Sequence, residues 1–160
     1  MDKLVVIAEK EELELVEKLG YDWYPVLITG IGALNVMEAL RDIPRDTTII
    51  NVGYAGSKDL EIGKFYKVDR CSLYHPSVNY HEPLYELNYV LVDVDEEESN
   101  PKKCLTTSDF VTKSEVKNCL FDMELAYILG MGFKNVFAYK YVSDNLDLKE
   151  YREGCKTKYN

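Results

Sequence analysis

The chain has 160 residues, 46% of them hydrophobic and 29% charged, which is enough for one ordinary core and too few for two large domains. Its net charge of −9 and pI near 4.8 argue against a nucleic-acid backbone as the main ligand, because neutralising phosphates takes clustered lysine and arginine. No apolar run approaches the length of about 18 residues that a membrane span needs, and the first residues enter a strand pattern almost at once, so neither a membrane partner nor a signal peptide is expected.

Lys3 to Ala8 (KLVVIA) is a short continuous apolar run, the pattern of a strand buried on both faces. Glu9 to Leu19 follows with Leu13, Val16 and Leu19 at helical spacing, and Gly20 takes a helix-ending position. Pro25 to Thr29 (PVLIT) is a second strand, Gly30-Ile31-Gly32 a turn, and Ala33 to Leu40 a helix. Thr47 to Val52 is a third strand running into an expected turn, Gly53-Tyr54-Ala55-Gly56. This β-α-β-α-β succession favours a parallel sheet with helices on its faces.

The middle of the chain differs. Gly63 to Cys71 and Glu86 to Val94 read as strands of partly alternating pattern, expected to be antiparallel or barrel-like. Asp93 to Glu98 is an acidic run that reads as a solvated loop, since it lacks the oxygen spacing and turn glycine of a calcium site. From Cys104 the α/β rhythm returns. Lys103 to Thr106 reads as a strand, Lys113 to Leu120 and Met123 to Leu129 as helices, Asn135 to Val142 as a strand, and Leu146 to Glu153 as a terminal helix.

Cys71, Cys104, Cys119 and Cys155 show no paired spacing and read as free thiols of a cytoplasmic protein. Cys71 with His75 and His81 could be drawn as a metal set, but a structural zinc normally takes four ligands. No metal and no cofactor are expected. The Gly30-Ile31-Gly32 turn lacks the third glycine of a dinucleotide fingerprint, where Asn35 stands, so an oxidoreductase reading is weak.

Carboxylates and glycines gather at the expected strand ends. Glu11 or Glu12 follows the first strand, glycines follow the second and third, Glu124 opens a helix, and Asp144 ends the last strand. In open α/β sheets ligands bind beyond the carboxyl ends of the strands. The rival reading leaves each glutamate in a helix's first turn as a complement to the macrodipole.

The ordered set resembles the nucleoside phosphorylase and nucleosidase superfamily, in its methylthioadenosine/S-adenosylhomocysteine nucleosidase branch. The resemblance rests on Thr29-Gly30-Ile31-Gly32, Asn51-Val52-Gly53-Tyr54-Ala55-Gly56, Ile62-Gly63, Thr107-Ser108-Asp109-Phe110-Val111, Met123-Glu124 and Val142-Ser143-Asp144. It implies a single domain over residues 1–160, a three-layer α/β/α fold around a mixed, mostly parallel sheet. It further implies cleavage of the N-glycosidic bond of a purine nucleoside, by water or, alternatively, by phosphate.

On this resemblance Asp144 would protonate or hydrogen-bond N7 of the departing purine, with Ser143 beside it. Glu12, preferred to Glu11 because Leu13, Leu15 and Val16 then fall in helix register, would orient the attacking water. Glu124 would bind the ribose hydroxyls and Met123 would pack on the sugar. Phe110 would stack on the base while the Val111 backbone reads its edge, and Gly32, Tyr54, Ala55 and Gly56 would line the site. Partners would be the small-molecule nucleoside, phosphate in a phosphorolytic member, and further copies of the chain in a dimer or larger homo-oligomer. Tyr54 stands where the family commonly has a small residue, Lys140 where the branch has arginine, and Ala8-Glu9-Lys10 replaces Gly-Ala-Met. Arginines that could hold phosphate are few (Arg41, Arg45, Arg70, Arg152), and none lies beside a glycine turn. A chain that binds a nucleoside without cleaving it, with Tyr54 filling the sugar or nucleophile space, is the second class of function.

Overall fold

β1 (Lys3–Ile7) pairs in parallel with β2 (Val26–Ile28) on one side and β3 (Thr48–Gly56) on the other, Val5 lying opposite Val26 and Ile50. These coordinates are a computed structural model and describe residues 2–75, 80–81, 84–87, 100–147 and 149–151. The remaining strands are β4 (Phe65–His75), β5 (Tyr80–His81), β6 (Tyr85–Glu86), β7 (Lys102–Thr106), β8 (Cys119–Asp122) and β9 (Asn135–Asp144). The helices are α1 (Leu13–Lys18), entered through a 3-10 turn at Lys10–Glu12, α2 (Ala33–Leu40) and α3 (Leu125–Gly130).

The sheet is mixed, and part of it closes on itself. β3 pairs in parallel with β9, β9 antiparallel with β4, β4 in parallel with β7, β7 in parallel with β8, and β8 returns antiparallel to β3 through Gly56 and Phe121. β1 and β2 extend the sheet from β3, while β5 and β6 pair antiparallel with β4.

Alternate residues of the strands serve two cores. Val5 and Ile7 join Leu15 and Val16 of α1 with Ile50 and Val52 of β3. Val6 and Ile49 face the other way, onto Val36 and Leu40 of α2 and Leu125 and Ile128 of α3. Each such side chain is worth about 1.5–3 kcal/mol when taken out of water. A strand used on both faces must read as an unbroken apolar run, as KLVVI and TTII do. The predicted stop of α1 is a Schellman cap: Gly20 sits at φ 76°, its N–H donates to the Glu17 carbonyl, and Tyr21 N–H donates to that of Val16. β2 follows after a turn.

Four expectations need correction. Asn51–Gly56 is not a turn but the second half of β3, a strand of nine residues that are all buried. Lys113–Leu120 forms no helix. Val116, Cys119 and Leu120 match helical spacing, yet Cys119 and Phe121 face one core cluster and Leu120 the other, so a two-sided strand overrides the local pattern. α3 begins at Leu125, leaving Met123 and Glu124 in the turn before it. The terminal helix does not start at Leu146, which has φ 71°. Asp147 Oδ1 caps the amides of Lys149 and Glu150 ahead of a helical turn at 149–151.

The calls on residues 88–94, on the acidic run Asp93–Glu98, and on Arg152 and Cys155 lie outside the described residues. Cys71, Cys104 and Cys119 are buried free thiols. Among the described residues no three His, Cys, Asp or Glu side chains are placed to hold one metal ion, and no helix is long and apolar enough to cross a membrane.

Candidate active site

The carboxyl ends of β1, β3, β8 and β9 converge on one cleft of about 430 Å³, open on one side. It gathers Glu12, Glu124 and Asp144 with Met123, Phe110, Tyr54, Ala55 and Gly56 from the sequence expectations. Gly32, Val111 and Ser143 do not line it. Gly32 caps α2 at φ 88°, Val111 is buried in a neighbouring apolar cluster, and Ser143 is buried behind Asp144. Ala8, Glu9, Ile31, Phe121, Asp122 and Tyr151 line the cleft without having been singled out.

Glu12 is 5% exposed, and three backbone amides donate to its carboxylate, which leaves acceptor capacity on Oε2. Oε1 accepts from the amides of Ala8 (2.8 Å) and Glu9 (3.0 Å), and Oε2 from that of Tyr54 (2.8 Å). The bond from Glu9 is the reach-back of a capping box, so the helix-start role and the site role coincide in one carboxylate. Burial pushes its pKa up, against the Lys140 charge and the three amides, which pull it down. Glu11 does not reach the cleft.

The glycines of β3 matter because carboxylates press on them. A Cβ at Gly53 would stand 2.7 Å from Glu12 Oε2, and one at Gly56 would stand 2.8 Å from Asp144 Oδ1. Residues 53 and 56 are glycine because the strand forms a wall of the site, not because the chain turns there. The first glycine pair is different: Gly30 and Gly32 sit at φ 89° and 88°, a true turn conformation.

Asp144 has no exposed surface. Its Oδ2 accepts from Ser143 Oγ (2.7 Å) and its Oδ1 from Leu146 N–H (2.9 Å). Burial raises its pKa to about 6, against those two hydrogen bonds. The turn that follows is pinned by Asn145, whose side-chain amide donates to the carbonyls of Ser57 (2.8 Å) and Leu60 (3.0 Å).

Glu124 occupies the N-cap position of α3, and its own Oε2 accepts from Met123 N–H at 3.0 Å. Burial first, then the neighbouring Asp122 charge, lifts its pKa to about 8, which favours the protonated form at neutral pH. Asp122 is an ion: burial opposes its charge, but Lys140 Nζ at 2.9 Å, Thr106 Oγ1 and Leu125 N–H hold its pKa down. Lys140 is likewise fully buried, and the Asp122 charge keeps it protonated despite desolvation.

Phe110 faces Tyr151 at 5.2 Å between ring centroids, and the Tyr151 hydroxyl donates to Glu9 Oε2 at 3.1 Å. Tyr54 is 9% exposed and packs edge-on against Tyr141 at 6.0 Å in the α1-side cluster, so much of its ring belongs to the core. Among the described residues no arginine or lysine lines the cleft: Arg41 pairs with exposed Glu38, Arg45 donates to carbonyls at and after the end of α2, and Arg70 pairs with Asp69.

Comparison with solved structures decides the fold. A 5′-methylthioadenosine/S-adenosylhomocysteine nucleosidase from Neisseria meningitidis, in complex with methylthio-immucillin-A, superimposes with a TM-score of 0.72 at 18% identity, covering 98% of this chain and 93% of that one. The fold is that of these nucleosidases. The S. pneumoniae nucleosidase with a transition-state inhibitor gives 0.71 at 16% identity, over 96% of this chain and 91% of that one. The Chlamydia trachomatis MTAN bound to MTA gives 0.71 at 16%, over 97% and 90%. No family model and no curated protein sequence matches the chain. What the nucleosidase fold positions here is the cleft, at the strand ends where open α/β sheets bind their ligands.

Proposed function

We propose that the protein cleaves the N-glycosidic bond of a purine nucleoside, with water as the nucleophile. The observation that carries this reading is the convergence of Glu12, Glu124 and Asp144, from three distant parts of the sequence, on one aromatic-walled cleft. The nucleosidases that share the fold bind methylthioadenosine or immucillin inhibitors in the structures compared above.

Each group matches a demand of the reaction. Breaking the bond leaves positive charge on the sugar and negative charge on the base. Asp144, whose pKa burial raises to about 6, holds a proton in a minor fraction of molecules at neutral pH and in most of them below pH 6, and that form supplies the proton to the base, a contribution of about 10² to 10⁴ in rate. Glu124 binds the ribose hydroxyls from the turn before α3, with Met123 on the sugar face; its proton passes to solvent as the nucleoside binds, and the carboxylate then faces the positive charge that grows on the sugar. Glu12, oriented by three amides, aligns the water. Phe110 offers a face to the base once Tyr151 yields it. Water is favoured over phosphate because the cleft presents carboxylates and no lysine or arginine among the described residues. The reaction draws on no metal or cofactor.

We infer further that the domain is single and three-layered, supported by α1 on one sheet face and α2 with α3 on the other. Free buried thiols suit the cytoplasm. Association of copies would cover the outer face of α2, where Leu34 is 81% and Met37 43% exposed.

The test is release of purine from methylthioadenosine, adenosylhomocysteine, adenosine and inosine, with and without phosphate, by the native chain and by Asp144→Asn. Phosphate-independent release that collapses in the variant is expected. Binding without release from any of the four would instead establish a nucleoside-binding protein.

A further inference from the structure

Lys140 is the largest fully buried side chain of the protein's described residues, and it sits behind the cleft rather than in it. Burying an ammonium is unfavourable unless it is paired and hydrogen-bonded. Its Nζ lies 2.9 Å from Asp122 Oδ2, and both side chains are almost completely shielded. The pair is not isolated. Asp122 Oδ1 accepts from Thr106 Oγ1 at 2.5 Å, Asp122 Oδ2 also accepts from Leu125 N–H at 2.9 Å, and Thr106 Oγ1 accepts from Ala126 N–H at 3.0 Å.

Those two amides belong to the first turn of α3, whose N-cap residue is Glu124. The chain of bonds therefore runs from Lys140 on β9 through Asp122 on β8 to the backbone that aims Glu124 at the cleft. A second connection passes over β3. The Cβ position absent at Gly53 would lie 3.3 Å from Lys140 Nζ and 2.7 Å from Glu12 Oε2, so ammonium and carboxylate converge on the same bare backbone atom.

We propose that Lys140 is a positioning residue for the reaction: through Asp122 it fixes the turn that carries Glu124, and across Gly53 its ammonium faces the Glu12 carboxylate. The inference rests on the nucleosidase reading of the cleft. The groups that face Glu12 are Lys140 from β9, Glu124 ahead of α3, and the amides of Ala8, Glu9 and Tyr54. Lys140 is the one cation among them, and its charge favours the ionised form of a carboxyl that burial would otherwise protonate.

A purely structural ion pair and a positioning lysine respond differently to removing both charges. Lys140→Met alone leaves Asp122 buried and unpaired, and both accounts expect it to unfold more easily. Asp122→Asn/Lys140→Met removes both charges while the asparagine oxygen still accepts from Leu125 N–H. Urea unfolding, adenine release from methylthioadenosine, and the carboxyl ¹³C titration of Glu12 are measured on the native chain and on both variants. The double variant is expected to recover stability, to keep kcat depressed about 100-fold because the turn that carries Glu124 is no longer fixed by the ion pair, and to titrate Glu12 at higher pH than the native chain. Recovery of native kcat with an unshifted Glu12 titration overturns the proposal. If the native chain releases no base from any nucleoside, the nucleosidase reading fails. The Glu12 titration then still decides whether Lys140 governs that carboxylate.

Discussion

Gly53→Ala tests the claim that the glycine is there for the carboxylate. The added Cβ would meet Glu12 Oε2 at 2.7 Å, where ordinary contact begins at 3.4 Å, so the carboxylate must retreat by about 0.7 Å. Its hydrogen bond from Tyr54 N–H, now 2.8 Å, would stretch to the edge of a real interaction. Losing a hydrogen bond to a charged group costs about 1.5–3 kcal/mol, and the stiffer unfolded chain returns about 0.4–1 kcal/mol. The net expectation is a destabilisation of about 1–2 kcal/mol, readable as a drop in Tm of several degrees. Moving a base by nearly 1 Å should lower kcat about 100-fold. Urea unfolding and purine release, run beside Gly130→Ala, provide the assay. A Cβ at Gly130 meets only the Tyr85 hydroxyl at 3.7 Å, so that variant should gain about 0.5–1 kcal/mol and keep its activity. A Gly53→Ala protein as stable as the native chain, with turnover within about twofold, would refute the reasoning.

Further consequences concern protons. If Asp144 must carry one, kcat/KM should fall as pH rises through about 6, and Asp144→Asn should abolish both activity and that limb. Glu124 has a folded pKa raised to about 8, so its share of stability is complete below the unfolded value and is lost as pH climbs toward 8; Glu124→Gln should flatten that part of a stability-versus-pH curve. Nucleoside binding that draws Glu124 into its ionised form should release a proton, seen as a dependence of binding enthalpy on the buffer's ionisation enthalpy. Burial raises the thiol pKa of Cys104 and lifts that of Cys119 to about 11, so peptide-resolved alkylation at pH 8 should spare both until the protein unfolds.

The sequence by itself determined the elements whose local chemistry is self-sufficient. A doubly buried strand needs a continuous run of largely apolar residues, which marked β1, the first half of β3 and most of β9. The φ of about 89° at Gly30 and Gly32 needs glycine, which marked the turn before α2, and Gly20 announced the end of α1 in the same way. Some residues that line the cleft were legible as types at element ends: Glu124, Asp144, and one of Glu11 and Glu12, of which the family resemblance preferred Glu12. Their company was not. Asp122 and Lys140 look like solvated charges in a linear reading, and only closure of β3, β8, β7, β4 and β9 into a ring buries them against each other. Glu9 and Tyr151 are 142 residues apart and meet only because the helical turn at 149–151 packs beside the cleft. Local propensity also misread residues 113–120 and 53–56, because the face a residue presents to a core depends on which strands lie beside it. Conformational preference is carried by a residue and its immediate neighbours. Burial, pairing and proton affinity belong to the surroundings, and those exist only once the chain has folded.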